Sequence, residues 1–239
     1  MSHRIRPAFT LVLCTTLVAA CGGGGGGGGV TTPKLQTGFY VDESNNAFTL
    51  RVVVDALGQL FILSNDGETL LTAPAAALKG QPLTGTQLDM IYPGSTYFLG
   101  TSDPTVTASW QAMLSSAGDL SAQVTRGSAA ETITAAKLFG NAPLSGRCFD
   151  LPLNQEVATC FTETTMTLSI GQCDYSGPYR VVEARESFIG TLTLSTTNAS
   201  CSSLPEISIL SYSGNEILVS AQNNGTVFLA KMEDTSLTQ

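Results

Sequence analysis

The sequence is almost without histidine. Its 239 residues hold one, His3. A body with no other histidine has no imidazole general base, no Ser-His-Asp triad and no histidine metal ligand. Charge is scarce as well. Only 13% of residues are Asp, Glu, Lys or Arg, with 11 basic against 19 acidic and a net charge of −8. A chain of that sign repels phosphate backbones, so nucleic acid is excluded as a partner. The 43% of apolar residues in turn exclude a disordered acidic tail. Beyond residue 30 no stretch approaches eighteen apolar residues, so no transmembrane helix is expected. The motifs S-x-x-K, G-x-S-x-G and D-[ST]-G are missing too. The expectation is a non-enzymatic protein with no cofactor and no metal.

The first forty residues are more informative. Met1 to Phe9 is short and basic, with Arg4 and Arg6. Thr10 to Ala20 is an apolar run, too short to span a bilayer but suited to the core of a secretion signal. It ends in Leu17-Val18-Ala19-Ala20-Cys21, and eight consecutive glycines follow, Gly22 to Gly29. No strand pattern precedes the glycines and no helix pattern follows, so a phosphate loop is excluded. They read as a tether, with an r.m.s. span of about 16 Å. Leu17 to Cys21 resembles a bacterial lipobox, which implies that residues 1–20 leave as a signal peptide and that a lipidated Cys21 opens a flexible linker over residues 21–37. Removing Arg4, Arg6 and His3 leaves nine basic and nineteen acidic residues, a charge of −10, with no histidine.

From Gly38 onward the pattern alternates with period two, which predicts strands. Phe48, Leu50, Val52 and Val54 are expected on one face, with Thr49 and Arg51 on the other. The same alternation runs through Leu88-Met90-Tyr92, Ala108-Trp110-Ala112-Leu114, Leu120-Ala122-Val124, Met166-Leu168-Ile170 and Ile217-Val219-Ala221. Turn residues separate the runs: Leu57-Gly58, Asn65-Asp66-Gly67, Pro93-Gly94, Ala117-Gly118, Gly177-Pro178, Ser213-Gly214-Asn215 and Asn223-Asn224-Gly225. The one helical hint is Leu71 to Lys79. This predicts an all-β protein, an antiparallel barrel or sandwich, built as an N-terminal half (38–140) and a C-terminal half (141–239) that are two modules or half-repeats. A transmembrane barrel fits poorly, because aromatics are scattered and the second strand faces are Thr, Ser and Gln.

The six cysteines divide by position. Cys14 is expected to leave with the signal, and the lipobox resemblance implies lipid on Cys21. Cys148, Cys160, Cys173 and Cys201 all fall in the C-terminal half, an even number in an exported chain, which predicts two disulfides. Cys148–Cys160 and Cys173–Cys201 are expected, since each then staples neighbouring strands without crossing. Loop entropy suggests about 3 and about 3.6 kcal/mol for the two. A zinc site would need closer spacing.

Other candidates read as structure. Glu183 and Glu186 are spaced for opposite faces of one strand, which spoils a shared acid pair. The Asp42–Asn46 and Asn65–Glu68 segments are acidic turns, not EF-hand loops. Trp110 is expected in a core. Tyr92, Tyr97 and Phe98 flank the Pro93-Gly94 turn and could form an exposed aromatic tip.

Val18-Ala19-Ala20-Cys21 followed by polyglycine resembles the start of Gram-negative bacterial lipoproteins. The body is similar to an uncharacterised group of β-rich outer-membrane lipoproteins, through its Gly38-Phe39-Tyr40 opening and the run Gly171-Gln172-Cys173-Asp174-Tyr175-Ser176-Gly177 before Cys201. In that family the residue at Cys21 is lipidated. Gly22 stands where an aspartate would favour the inner membrane, so the resemblance implies the outer membrane, with the lipid on Cys21 as membrane partner. Tether plus barrel also resembles the transferrin-binding and factor-H-binding surface lipoproteins in architecture, which implies a host protein as an alternative partner. A lipocalin-like carrier of a small apolar ligand is the other alternative.

Overall fold

A computed structural model describes residues 35–42, 49–64, 69–74, 83–89, 97–101, 103–115, 118–138, 140–152, 154–183, 186–195 and 198–235. Among them every regular element is a β-strand and every pairing is antiparallel. In the first half these are β1 (Gly38–Asp42), β2 (Thr49–Val54), β3 (Gln59–Leu63), β4 (Thr69–Pro74), β5 (Leu83–Asp89), β6 (Tyr97–Thr101), β7 (Asp103–Leu114), β8 (Leu120–Arg126) and β9 (Ala129–Leu138). The second half adds β10 (Cys148–Leu151), β11 (Asn154–Phe161), β12 (Thr165–Ile170), β13 (Cys173–Glu183), β14 (Ser187–Thr191), β15 (Thr193–Leu194), β16 (Glu206–Ser213), β17 (Glu216–Asn223) and β18 (Thr226–Asp234).

The fold is barrel, not sandwich. The first sheet follows chain order but skips β6, and it closes where Phe39, Tyr40 and Val41 pair with Leu138, Lys137 and Ala136. The second runs from β10 to β18 and returns to β10 through Phe149–Asp234 and Asp150–Glu233. Strand β6, encoded in the first half, lies on β18 of the second sheet, with Tyr97 opposite Ala230 and Thr101 opposite Thr226. β10 is only four residues long, so β18 pairs with β10 at one end and with β6 at the other.

Burial divides the strands into two kinds, and the sequence explains which is which. On β7, Ala108, Trp110 and Ala112 are buried while Ser109, Gln111 and Met113 are exposed. β8 and β12 alternate in the same way. These strands separate a core from water. β3 (QLFIL), β16 (EISILSYS), β17 (EILVSAQN) and β18 (TVFLAKMED) bury successive residues on both faces. One face fills a barrel and the other fills a seam between the two barrels. Three apolar clusters result: one inside the first barrel around Tyr40 and Trp110, one inside the second around Phe149 and Phe228, and a seam including Phe39, Phe61, Phe98, Leu210 and Leu229. In the seam Phe39 stacks on Tyr212 with centroids 4.5 Å apart.

Several local expectations need correction. Leu50 does not share a face with Val52 and Val54. Tyr40 pairs with Val52 but Val41 pairs with Leu50, so Arg51 is the extra residue of a bulge. The bulge turns Leu50 into the seam while Val52 and Val54 stay in the first barrel. Phe48 lies outside the described residues. The helical hint at Leu71 is strand as far as Pro74, and 75–79 lie outside the described residues. Gly177-Pro178 is no turn but sits inside β13. There the strand changes partner, from β15 at Tyr175 and Ser176 to β14 from Tyr179 onward. A Cβ on Gly177 would come within 1.9 Å of the Thr191 carbonyl oxygen, so backbone contact selects the glycine. The Asn224-Gly225 turn does form as expected, with φ of 47° and 82° between β17 and β18. Of residues 21–37, expected as a linker, 21–34 lie outside the described residues, while Leu35 is buried in the first barrel and the Gln36 carbonyl accepts a bond from the Tyr40 hydroxyl.

Candidate functional site

Each barrel closes around one arginine. Arg51 is 2% exposed. The bulge aims it at Glu131 on β9, with Nη1 3.8 Å from Asp42 on β1 and Nε donating to the Leu63 carbonyl at 3.2 Å. Arg147 enters the second barrel beside its closure and pairs with the buried Asp234 of β18. It also donates to the carbonyls of Pro143 and Gly214 and lies over the Phe149 ring. Both guanidiniums are held by carboxylates and carbonyls, so their role is structural.

A polar latch sits in the seam. Asp55 is fully buried at the β2–β3 turn. Its Oδ1 accepts from the Leu57 and Gln59 amides at 2.9 and 2.8 Å, which shapes the turn. Its Oδ2 accepts from Ser220 on β17, and the neighbouring Ala56 amide donates to Ser208 on β16. Burial raises the Asp55 carboxyl to about 6, against the opposing effect of these hydrogen bonds.

Both disulfides form as expected, Cys148–Cys160 and Cys173–Cys201. The first joins directly opposed residues of β10 and β11. The second differs in placement. Cys201 is not on a strand but in the described stretch 198–205 before β16, so the bond ties the start of β13 to that stretch.

That stretch walls a cavity of about 210 Å³ at the mouth of the second barrel. Ile170, Tyr175 and Leu204 are buried and form its floor together with Leu99 of β6. Thr101, Ser200 and Ser202 are exposed at its rim, beside Thr226 of β18. Spaces inside the first barrel and at the seam are far smaller, about 10 Å³ each. Burial also raises the Tyr175 hydroxyl, which stays protonated and donates to the Ser202 carbonyl at 2.7 Å.

The other sequence candidates are scattered. Trp110 packs in the first barrel as expected. Tyr97 and Phe98 form no exposed tip: both are buried, Tyr97 edge-on to Phe228 and Phe98 in the seam. Tyr92 lies outside the described residues. Glu183 ends β13 and Glu186 follows in the turn before β14, so they flank a hairpin and do not share one strand. Asp42 pairs with Arg51, while 43–46, 65–68 and Cys21 lie outside the described residues. Among the described residues no cluster of three or more metal-ligating side chains occurs. The cavity was missed by sequence reading, since its wall comes from four separate stretches of chain. Comparison with protein-family models, curated proteins and solved structures finds no match.

Proposed function

We propose that the chain is a non-enzymatic lipoprotein of a Gram-negative outer membrane, anchored through lipid on Cys21, whose two-barrel body is a binding module. The observation that carries this reading is the order of basic leader, eleven-residue apolar run, small residues, Cys21 and eight glycines. Two disulfides support an exported, oxidising location. The exposed Ser121, Gln123 and Thr167 on the outer faces of β8 and β12 suit strands bathed in water better than strands facing lipid. A preformed cavity faces solvent at the mouth of the second barrel, which suits a binding module. The reading is tested by growing expressing cells with labelled palmitate. Label is expected in the wild type and absent from Cys21→Ala. Equal incorporation in both refutes the anchor.

A further inference from the structure

We infer that the cavity at the mouth of the second barrel is a binding site for a small neutral amphiphile, an aromatic alcohol or a molecule of like shape, seated ring-first. This deepens the reading of the body as a binding module and does not depend on lipid at Cys21, so anchor and site fail separately.

Three observations carry the inference. The first is volume. The spaces at the seam and inside the first barrel hold about 10 Å³ each, against about 210 Å³ in this solvent-open cavity. An apolar cavity of about 150 Å³ accepts benzene, so this one suits a ligand of about eight to ten heavy atoms.

The second is rigidity. A cavity walled by a loop would collapse if the loop were free to move. Here the loop is tied at Cys201 to Cys173, at Ser202 by the Tyr175 hydroxyl, and at Ser203 by the Asn223 side chain at 2.8 Å. The opposite wall is β6, held on β18 by a five-residue register. A preformed site spares the ligand the cost of ordering it.

The third is chemistry. The floor is apolar, and burial keeps the Tyr175 ring neutral. The rim is a set of hydroxyls. Thr226 donates to Ser202 at 3.3 Å, and the Ser200 hydroxyl donates to Asn198 at 2.8 Å. That leaves the Ser202 hydrogen for a ligand acceptor and the Ser200 oxygen for a ligand donor. Among the described residues no charged side chain lines the cavity, so an ionised ligand would lose hydration without compensation from them.

The test is saturation-transfer NMR on the full chain with 4-methylphenol and, separately, 4-methylbenzoate. Leu99→Trp and Ser202→Phe fill the cavity from opposite walls, and thermal unfolding checks that each variant folds. The expected result is saturable binding of 4-methylphenol that weakens about tenfold or more in each folded variant, with the benzoate at least about tenfold weaker than the phenol. The inference is overturned if the wild type shows no saturable binding of the phenol, if folded filling variants bind it as the wild type does, or if the benzoate binds equally well.

Discussion

Asp55 shows what one buried group does to this protein. It is the carboxylate of the seam, and its environment favours the protonated form, with the folded value near 6 against an ordinary 3.8. Between those values the folded state holds a proton that the unfolded chain releases. Stability therefore falls as pH rises from about 4 to about 6, and the loss is complete above that window. The shift corresponds to about 3 kcal/mol. Asp55→Asn keeps an acceptor for the Leu57 and Gln59 amides and has no proton to lose. Urea unfolding across pH 4 to 7 should show the wild type losing about 3 kcal/mol relative to Asp55→Asn. Parallel curves would remove Asp55 from the account. None of this was legible in the sequence, where Asp55 is one acid beside a Leu-Gly turn. Its partner Ser220 is 165 positions away.

At the scale of the element, legibility followed the solvent. Strands with one wet face, such as β7, β8 and β12, carry the alternation that predicts them, and their buried residues are the expected ones. Strands of the seam bury both faces, so alternation gives no register, and one bulge at Arg51 is enough to move Leu50 to the other side. Gly177-Pro178 misled for a related reason. Glycine and proline usually mark a turn, but β13 uses them where it exchanges one neighbour for another. Gly177→Ala would drive a methyl into the Thr191 carbonyl and is expected to cost about 3 kcal/mol, read as a lowered urea midpoint. A change of under about 0.5 kcal/mol would mean that Gly177 on β13 and Thr191 at the end of β14 are not in backbone contact.

The whole molecule depends on β6. Tyr97 and Phe98 looked like the tip of a hairpin because the strand they pair with lies about 130 residues later, beyond the reach of any local pattern. Once placed, β6 ties the first half of the chain to the second sheet, completes one wall of the cavity, and sends Phe98 into the seam. Two barrels joined by an apolar seam, one of them including a strand encoded in the other's half of the chain, should unfold together. Calorimetry should show one transition whose calorimetric and van't Hoff enthalpies agree. Two resolved transitions would mean that the barrels are independent and that β6 adds little. The disulfides, the antiparallel all-β class and the packing of Trp110 could be read from sequence, while the choice of barrel over sandwich could not. The cavity could not, because it exists only where Leu99, Ile170, Tyr175 and Leu204 converge.

The reading of this body as a tethered binding module rests on what happens at Cys21. Mass spectrometry of the N-terminal peptide from protein purified out of outer membranes measures that directly. The account predicts a peptide that begins at Cys21, carries the added mass of lipid, and continues into the eight glycines. A peptide beginning elsewhere, or an unmodified Cys21 in protein recovered from the soluble fraction, would contradict it.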